Sequence, residues 1–215
     1  MKQAGEREML APIYHPVFAT AFEWMARMGP MRRAMDPVRR ELVGQARGYV
    51  LEVGAGSGLN FAFYVPGQVE RVAAIEPDAA MLRYARQRAT TAPVPITLTQ
   101  APVEALPFAD ETFDSAVVTL VFCSVADPPR GLQEIYRVLK PGGMLLMAEH
   151  VRAQNAIIAR IQDMLVPLTT RLAGNCHWNR DTAYAVARAG FQITHLRSTS
   201  ASMLQLGIVL YAVRP

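Results

Sequence analysis

The sequence predicts an α/β fold: one mostly parallel, seven-stranded sheet with helices on both faces and an antiparallel hairpin at its C-terminal end. Three observations predict it. Short, nearly all-apolar runs such as 50–53 and 115–122 alternate with stretches of helical period, the pattern of strands buried on both faces by crossover helices. A glycine-rich turn, "GAGSG" at 54–58, follows the first such run, as in open sheets that bind ligands beyond their carboxyl ends. The last third drops the alternation for two β-rich segments with a short connection, a hairpin signal.

The elements follow in order. Residues 16–46 read as two helices separated by Gly29 and Pro30, with apolar residues at helical spacing. "YVLEV" is the first strand, and a helix is expected directly after the glycine turn. Then come strand "VERVAAIE", helix "DAAMLRYARQRA", the short strand "PITLTQ", an acidic turn, and the long apolar strand "SAVVTLVF". A helix "PPRGLQEIYRVLK", a Pro-Gly-Gly break and strand "MLLMAEHV" complete the alternation. Helices over about 153–172 and 181–189 precede the terminal strands "GFQITHLRSTS" and "LGIVLYAVRP".

Composition narrows the options. At 215 residues, 51% hydrophobic and 19% charged, the chain suffices for one sizeable core and is short for two, so a single domain is expected. There is no run of 18 uncharged apolar residues, and "MKQAGEREML" carries charge where a signal peptide needs an apolar segment. A cytoplasmic protein is expected. The net charge is +4, but apart from Lys2 and Lys140 the basic residues are all arginine, a bias that codon composition also produces and that says little about nucleic acid. The charge is concentrated locally: Arg27, Arg32, Arg33, Arg39, Arg40 and Arg47 face only Asp36 and Glu41. Such a helix either makes peripheral contact with anionic headgroups or is a solvated face. Cys123 and Cys176 lie far apart, which is neither a disulfide framework nor a metal-ligand spacing. Ordinary thiols and no metal are expected.

The glycine turn carries the most chemistry. Its spacing is GxGxG, and Leu59 stands where a dinucleotide fingerprint would place its last glycine. Glu52, just before the turn, would repel a phosphate and attract a cation or ammonium group. Glu76 ends the second strand 18 residues beyond Gly58, about where a carboxylate accepts both ribose hydroxyls. Pro77 and Met81 then offer apolar surface for a base.

"VLEVGAGSG", "AIEPDAAML", "ALPFADETFDSAVV" and "EIYRVLKPGGMLLMAEH", in that order over 49–151, resemble the motifs of the class I S-adenosylmethionine-dependent methyltransferases. The resemblance implies a Rossmann-like core at 49–151, a helical lid at 1–48, and acceptor-side helices with the terminal hairpin at 152–215. It implies that Glu52 and the backbone of Gly54, Ala55, Gly56 and Gly58 hold the methionine part of S-adenosyl-L-methionine, and that Glu76 binds the ribose. Pro77 and Met81 would flank the adenine, Pro102 and Val103 would close its outer edge, and Thr119 and Leu120 would lie beneath the methionine portion. Where many members carry an Asp that accepts from the adenine amino group, this chain has Pro102, so backbone groups alone would read the base.

"LVFCSVADP", "EHV" and "GNCHWNRDT" are further similar to the small alkyl-thiol methyltransferases of the methyltransferase-like group and their bacterial type 11 relatives. This implies a small, hydrophobic acceptor, with thiol S-methylation ahead of phospholipid N-methylation at a membrane surface, quinone-precursor C-methylation, or a non-catalytic cofactor-binding module. "TLVFCSV" lacks the amide that holds a nucleobase amine, which argues against nucleic acid. His150, at the end of the fifth strand, suits proton removal from an acceptor or a structural role equally. His177, beside Cys176 and Trp178, is the second candidate base. Tyr14, His15, Phe18, Phe22 and Trp24 fit either a lid over the cofactor or a helix packed on the sheet.

Overall fold

The computed structural model describes residues 15–172, 175–199 and 207–215. Tyr14, the charged stretch 1–10 and Gly174 lie outside the described residues. Two helices, α1 (Pro16–Arg27) and α2 (Gly29–Val43), precede strand β1 (Gly48–Val53). Then follow β2 (Val69–Ile75), α3 (Ala79–Ala89), β3 (Ile96–Thr99), β4 (Phe113–Thr119), α4 (Pro128–Val138) and β5 (Leu139–His150). The chain continues through α5 (Ala156–Leu172), α6 (Thr182–Arg188), β6 (Gln192–Ser198) and β7 (Gly207–Val213).

All seven strands join one sheet in the order β3-β2-β1-β4-β5-β7-β6. The pairs from β3 through to β5 are parallel. β7 runs antiparallel to both neighbours, so the terminal hairpin is part of the sheet, with its second strand next to β5. Because side chains alternate across a strand, each central strand feeds two cores. Leu51, Val53 and Val118 pack with Leu132, Ile135 and Val138 of α4, while Val50, Val72 and Val117 pack with Leu42 and Val43 of α2. Burial on both faces explains why these strands read as continuous apolar runs. The chain builds outward from β1 to β3, then crosses back to β4, and the resulting switch point opens a crevice at the carboxyl ends of β1 and β4.

Three local expectations are corrected. The helix expected after the glycine turn is a single 3-10 turn, Phe61–Phe63. Only ten residues separate Gly58 from Val69; Pro66 disfavours helix at Val65, and Phe61 and Tyr64 are drawn into the core. The fourth strand stops at Thr119, because Leu120 adopts a left-handed φ of 57° while its N–H donates to Ala148 O. The Pro-Gly-Gly break falls inside β5 as a bulge: Phe113 pairs with Leu139 but Ser115 with Met144, the slack being taken up around Gly142 at φ 76°.

Candidate functional site

The floor of the crevice is the glycine turn. Gly54 and Gly56 sit at φ 62° and 55°, where a side chain is strained. Their surroundings differ. A Cβ on Gly54 would come within 2.6 Å of Val121 Cγ2, whereas one on Gly56 would meet nothing within 4 Å. Gly54 is therefore demanded by packing as well as by backbone, and Gly56 leaves bare main chain facing open space.

Glu76 is fixed above this turn. The Gly56 N–H donates to Glu76 Oε2 at 2.8 Å and the Asp78 N–H to Oε1 at 2.9 Å. Glu76 is 8% exposed, and burial, opposed by these two bonds, pushes its pKa up to about 7. Each oxygen keeps a free lone pair, so two hydroxyl donors can still be accepted. Asp78 also caps α3, accepting from the Ala80 N–H, and receives the His15 N–H at 3.1 Å.

Glu52 lies beneath the turn rather than in the crevice. It is 1% exposed, accepts from Tyr64 Oη at 2.7 Å, and burial raises its pKa to about 7. Neighbouring Asn60, also buried, donates from Nδ2 to Thr119 Oγ1 at 3.1 Å, while its Oδ1 has no donor. Sequence reasoning missed Asn60 and Tyr64. The usable signal was one amide within the otherwise apolar "NFAFYV".

Around the rim, Ala55, Met81 and Val103 are nearly buried. Met81 sits at the start of α3 against Ala19, Phe18 and Phe22 of α1, and Pro77 O accepts from Gln100 Nε2 at 3.0 Å. Pro102 precedes the 3-10 turn Val103–Ala105. Arg88 clamps α1 to this region, bonding both oxygens of buried Glu23 and Ser57 O.

On the β4–β5 side of the same edge, two loops are stitched together. Glu149, buried in β5, accepts the Val121 and Phe122 N–H groups on Oε1, while Oε2 is unpartnered and burial raises its pKa to about 8. Arg180 donates to Phe122 O and Val125 O. The His177 N–H donates to Cys123 O at 2.6 Å, and Asn175 Nδ2 to Ser124 O at 3.1 Å. These stitches bring together side chains distant in sequence: Cys123, His150 and Cys176, from three separate segments, present donor atoms within 4.8 Å of one another. Both cysteines are free. Contact with Cys123 raises the His150 pKa, whereas desolvation and nearby Arg180 lower that of His177.

The residues fit S-adenosylmethionine. Unshielded main chain at Gly56 suits a flat, close-lying ligand, the fixed Glu76 carboxylate suits a diol, and the donorless Asn60 Oδ1 suits an ammonium group. Comparison with known proteins agrees with this fit. Residues 51–147 match the methyltransferase domain family. The thiol S-methyltransferase TMT1B of Rattus norvegicus is 31% identical over 199 residues, covering 85% of this chain and 80% of that one. The ubiquinone/menaquinone biosynthesis C-methyltransferase UbiE of Geobacter sulfurreducens is 34% identical over 119 residues, covering 53% and 46%. In fold, the chain matches a SAM-dependent methyltransferase from Aquifex aeolicus with a TM-score of 0.68 at 16% identity, covering 94% and 100%. The chain belongs to the methyltransferase domain family and is an S-adenosylmethionine-dependent methyltransferase.

Proposed function

We propose that this chain methylates the sulfur of a small, apolar thiol. One observation carries the reading: the similarity to thiol S-methyltransferases spans as much as 80% of the relative at 31% identity, whereas that to the quinone-precursor C-methyltransferases spans between 45% and 64% of theirs.

Glu76 would hold the ribose, Gly54, Ala55, Gly56 and Gly58 the methionine portion, and Asn60 Oδ1 its ammonium, with Glu52, held by the Tyr64 hydroxyl, supplying negative potential from below. Pro77, Met81, Pro102 and Val103 would enclose the adenine, and Thr119 and Leu120 would support the methionine end. S-adenosylmethionine supplies a methyl group already activated by its sulfonium. The chain's task is then to align the acceptor and exclude water. α1, tied to α3 through His15–Asp78 and Glu23–Arg88, would serve as the lid.

A thiol attacks as thiolate, and only a few per cent of a free thiol is ionised near neutral pH. His177, partly exposed and with a pKa lowered by desolvation and Arg180, would take the proton, while His150, held against Cys123, would order the acceptor wall. The two free thiols suit a reducing, cytoplasmic setting.

No helix among the described residues is long and apolar enough to cross a membrane. Peripheral contact remains part of the reading, because Trp24 on α1 and Ile157, Met164 and Leu168 on α5 are exposed, as are Arg33 and Arg40 on α2. Incubating the purified chain with methyl-labelled S-adenosylmethionine and matched alkyl thiols, quinols and aminophospholipids tests the acceptor. Label confined to the thiols supports the reading, and label in quinol or phospholipid alone overturns it.

A further inference from the structure

We propose that Cys123, His150 and Cys176 form a three-ligand site for a thiophilic divalent cation, zinc above all, whose fourth position takes the acceptor thiol. The part concerning the acceptor rests on the thiol reading above.

The ligand types come first. Two thiols and an imidazole are the donors a borderline-soft cation selects, and three protein ligands rather than four are the arrangement of a zinc that keeps an open position for water or substrate. Among the described residues the group contains these three alone.

Geometry follows. With Zn–S about 2.3 Å and Zn–N about 2.0 Å, a tetrahedron has ligand–ligand edges of about 3.5–3.8 Å. The donor atoms here already lie within 4.8 Å of one another, so side-chain rotation closes the difference. A disulfide would demand that the two sulfurs approach to about 2 Å, a larger rearrangement.

The donors are also held without relying on each other. Cys123 is fixed through its carbonyl, which accepts from the His177 N–H, and through the Val121 and Phe122 N–H bonds to Glu149 just before it. Cys176 is fixed through its carbonyl, which accepts from Thr169 Oγ1 at 2.8 Å, and through Asn175, whose side chain bonds Ser124 O. His150 is the last residue of β5 and is paired in the ladder with Gly207. Three main-chain segments thus converge three ligands before any cation arrives.

On binding the cation Cys123 and Cys176 each lose the thiol proton to solvent, and a divalent cation with two thiolates sums to zero charge, which removes the burial penalty an unpaired thiolate would carry. When an acceptor thiol enters the fourth position, a metal–sulfur bond forms, the S–H bond breaks, and the proton passes by way of His177 to solvent. No electron changes hands. The acceptor would be delivered as a thiolate at neutral pH, on the edge of the sheet where the cofactor cradle lies.

Cobalt(II) titration of the reduced, full-length chain reads the site by its thiolate-to-metal charge-transfer bands. One equivalent of tetrahedral, thiolate-bound cobalt is expected, lost in both Cys123→Ser and Cys176→Ser, with S-adenosylhomocysteine affinity retained as the check on folding. Should either serine variant fail to fold, cadmium-113 NMR of the unaltered chain reports the same ligands, with a shift characteristic of two sulfurs. Added alkyl thiol should perturb the cobalt bands, and chelation should lower thiol methylation at pH 7 by about tenfold, since little free thiol is ionised there. Absence of stoichiometric metal, bands that survive both substitutions, or a Cys123–Cys176 disulfide in place of metal overturns the site. Full thiol methylation by metal-stripped enzyme overturns its role while leaving the thiol reading intact, and bound metal without thiol methylation overturns the thiol reading alone.

Discussion

Replacing Glu76 by Gln should weaken cofactor binding while leaving the fold nearly untouched, and both effects can be sized. In the native chain each carboxylate oxygen accepts one backbone N–H, from Gly56 or Asp78, and keeps a lone pair for one ribose hydroxyl. The amide retains one acceptor and turns an N–H against the other donor. One hydrogen bond to a charged group is lost from the ligand, about 1.5–3 kcal/mol, which weakens Kd by about 10- to 150-fold. For stability the terms oppose each other. The amide loses one backbone hydrogen bond and leaves a donor unpaired, about 1–3 kcal/mol. It also abolishes the penalty for ionising a buried carboxyl whose pKa rises from 4.5 to about 7, about 3 kcal/mol above that value. At pH 8 the melting temperature should therefore stay within a few degrees. Calorimetric titration with S-adenosylhomocysteine at pH 8, beside a thermal melt of each protein, measures both. A Kd within threefold of the unsubstituted chain would refute the ribose assignment.

The remaining predictions concern the turn, the acceptor side and pH. Gly56→Ala should cost only about 1–2 kcal/mol of stability, for its left-handed φ, yet weaken cofactor binding. Gly54→Ala, which drives a Cβ against Val121, should lower the melting temperature further, and the reverse order in thermal melts would contradict the packing derived for the turn. His150→Ala should lower turnover on a thiol by about 10- to 100-fold with cofactor Kd unchanged, and equal losses in both would place His150 outside the acceptor side. Glu52, Glu76 and Glu149 titrate at about 7, 7 and 8 in the folded chain against an ordinary 4.5. Between pH 5 and 8 the folded state then binds more protons than the unfolded one, so stability falls as pH rises through that window. Urea midpoints at pH 5.5 and 8 should show the decline, and a higher midpoint at pH 8 would contradict it.

The parallel strands were readable because burial on both faces leaves apolar runs at their centres, such as Val50 and Leu51 in β1 and Ala116, Val117 and Val118 in β4, and the hairpin because its segments lacked helical period. The glycine turn was readable from backbone demands alone. The missing helix after it was not: a strand–turn–helix pattern hides the effect of Pro66 and of Phe61 and Tyr64 turning inward. Glu52 was rightly seen as an acid beside the turn, but its side of the strand, and hence its burial against Tyr64, depends on the facing layer. The cluster of Cys123, His150 and Cys176 was invisible in one dimension. Its members end a strand or sit in separate loops, and only the pairing of β4 with β5, together with hydrogen bonds between the loops after β4 and α5, brings them together.

A crystal structure of the chain with S-adenosylhomocysteine decides most about the crevice. The expected result has both ribose hydroxyls on the Glu76 carboxylate and the amino-acid end over Gly54–Gly56, its ammonium at Asn60 Oδ1. A nucleoside bound elsewhere, or a Glu76 carboxylate facing no hydroxyl, would contradict the assignment of this edge of the sheet as the methyl-donor site.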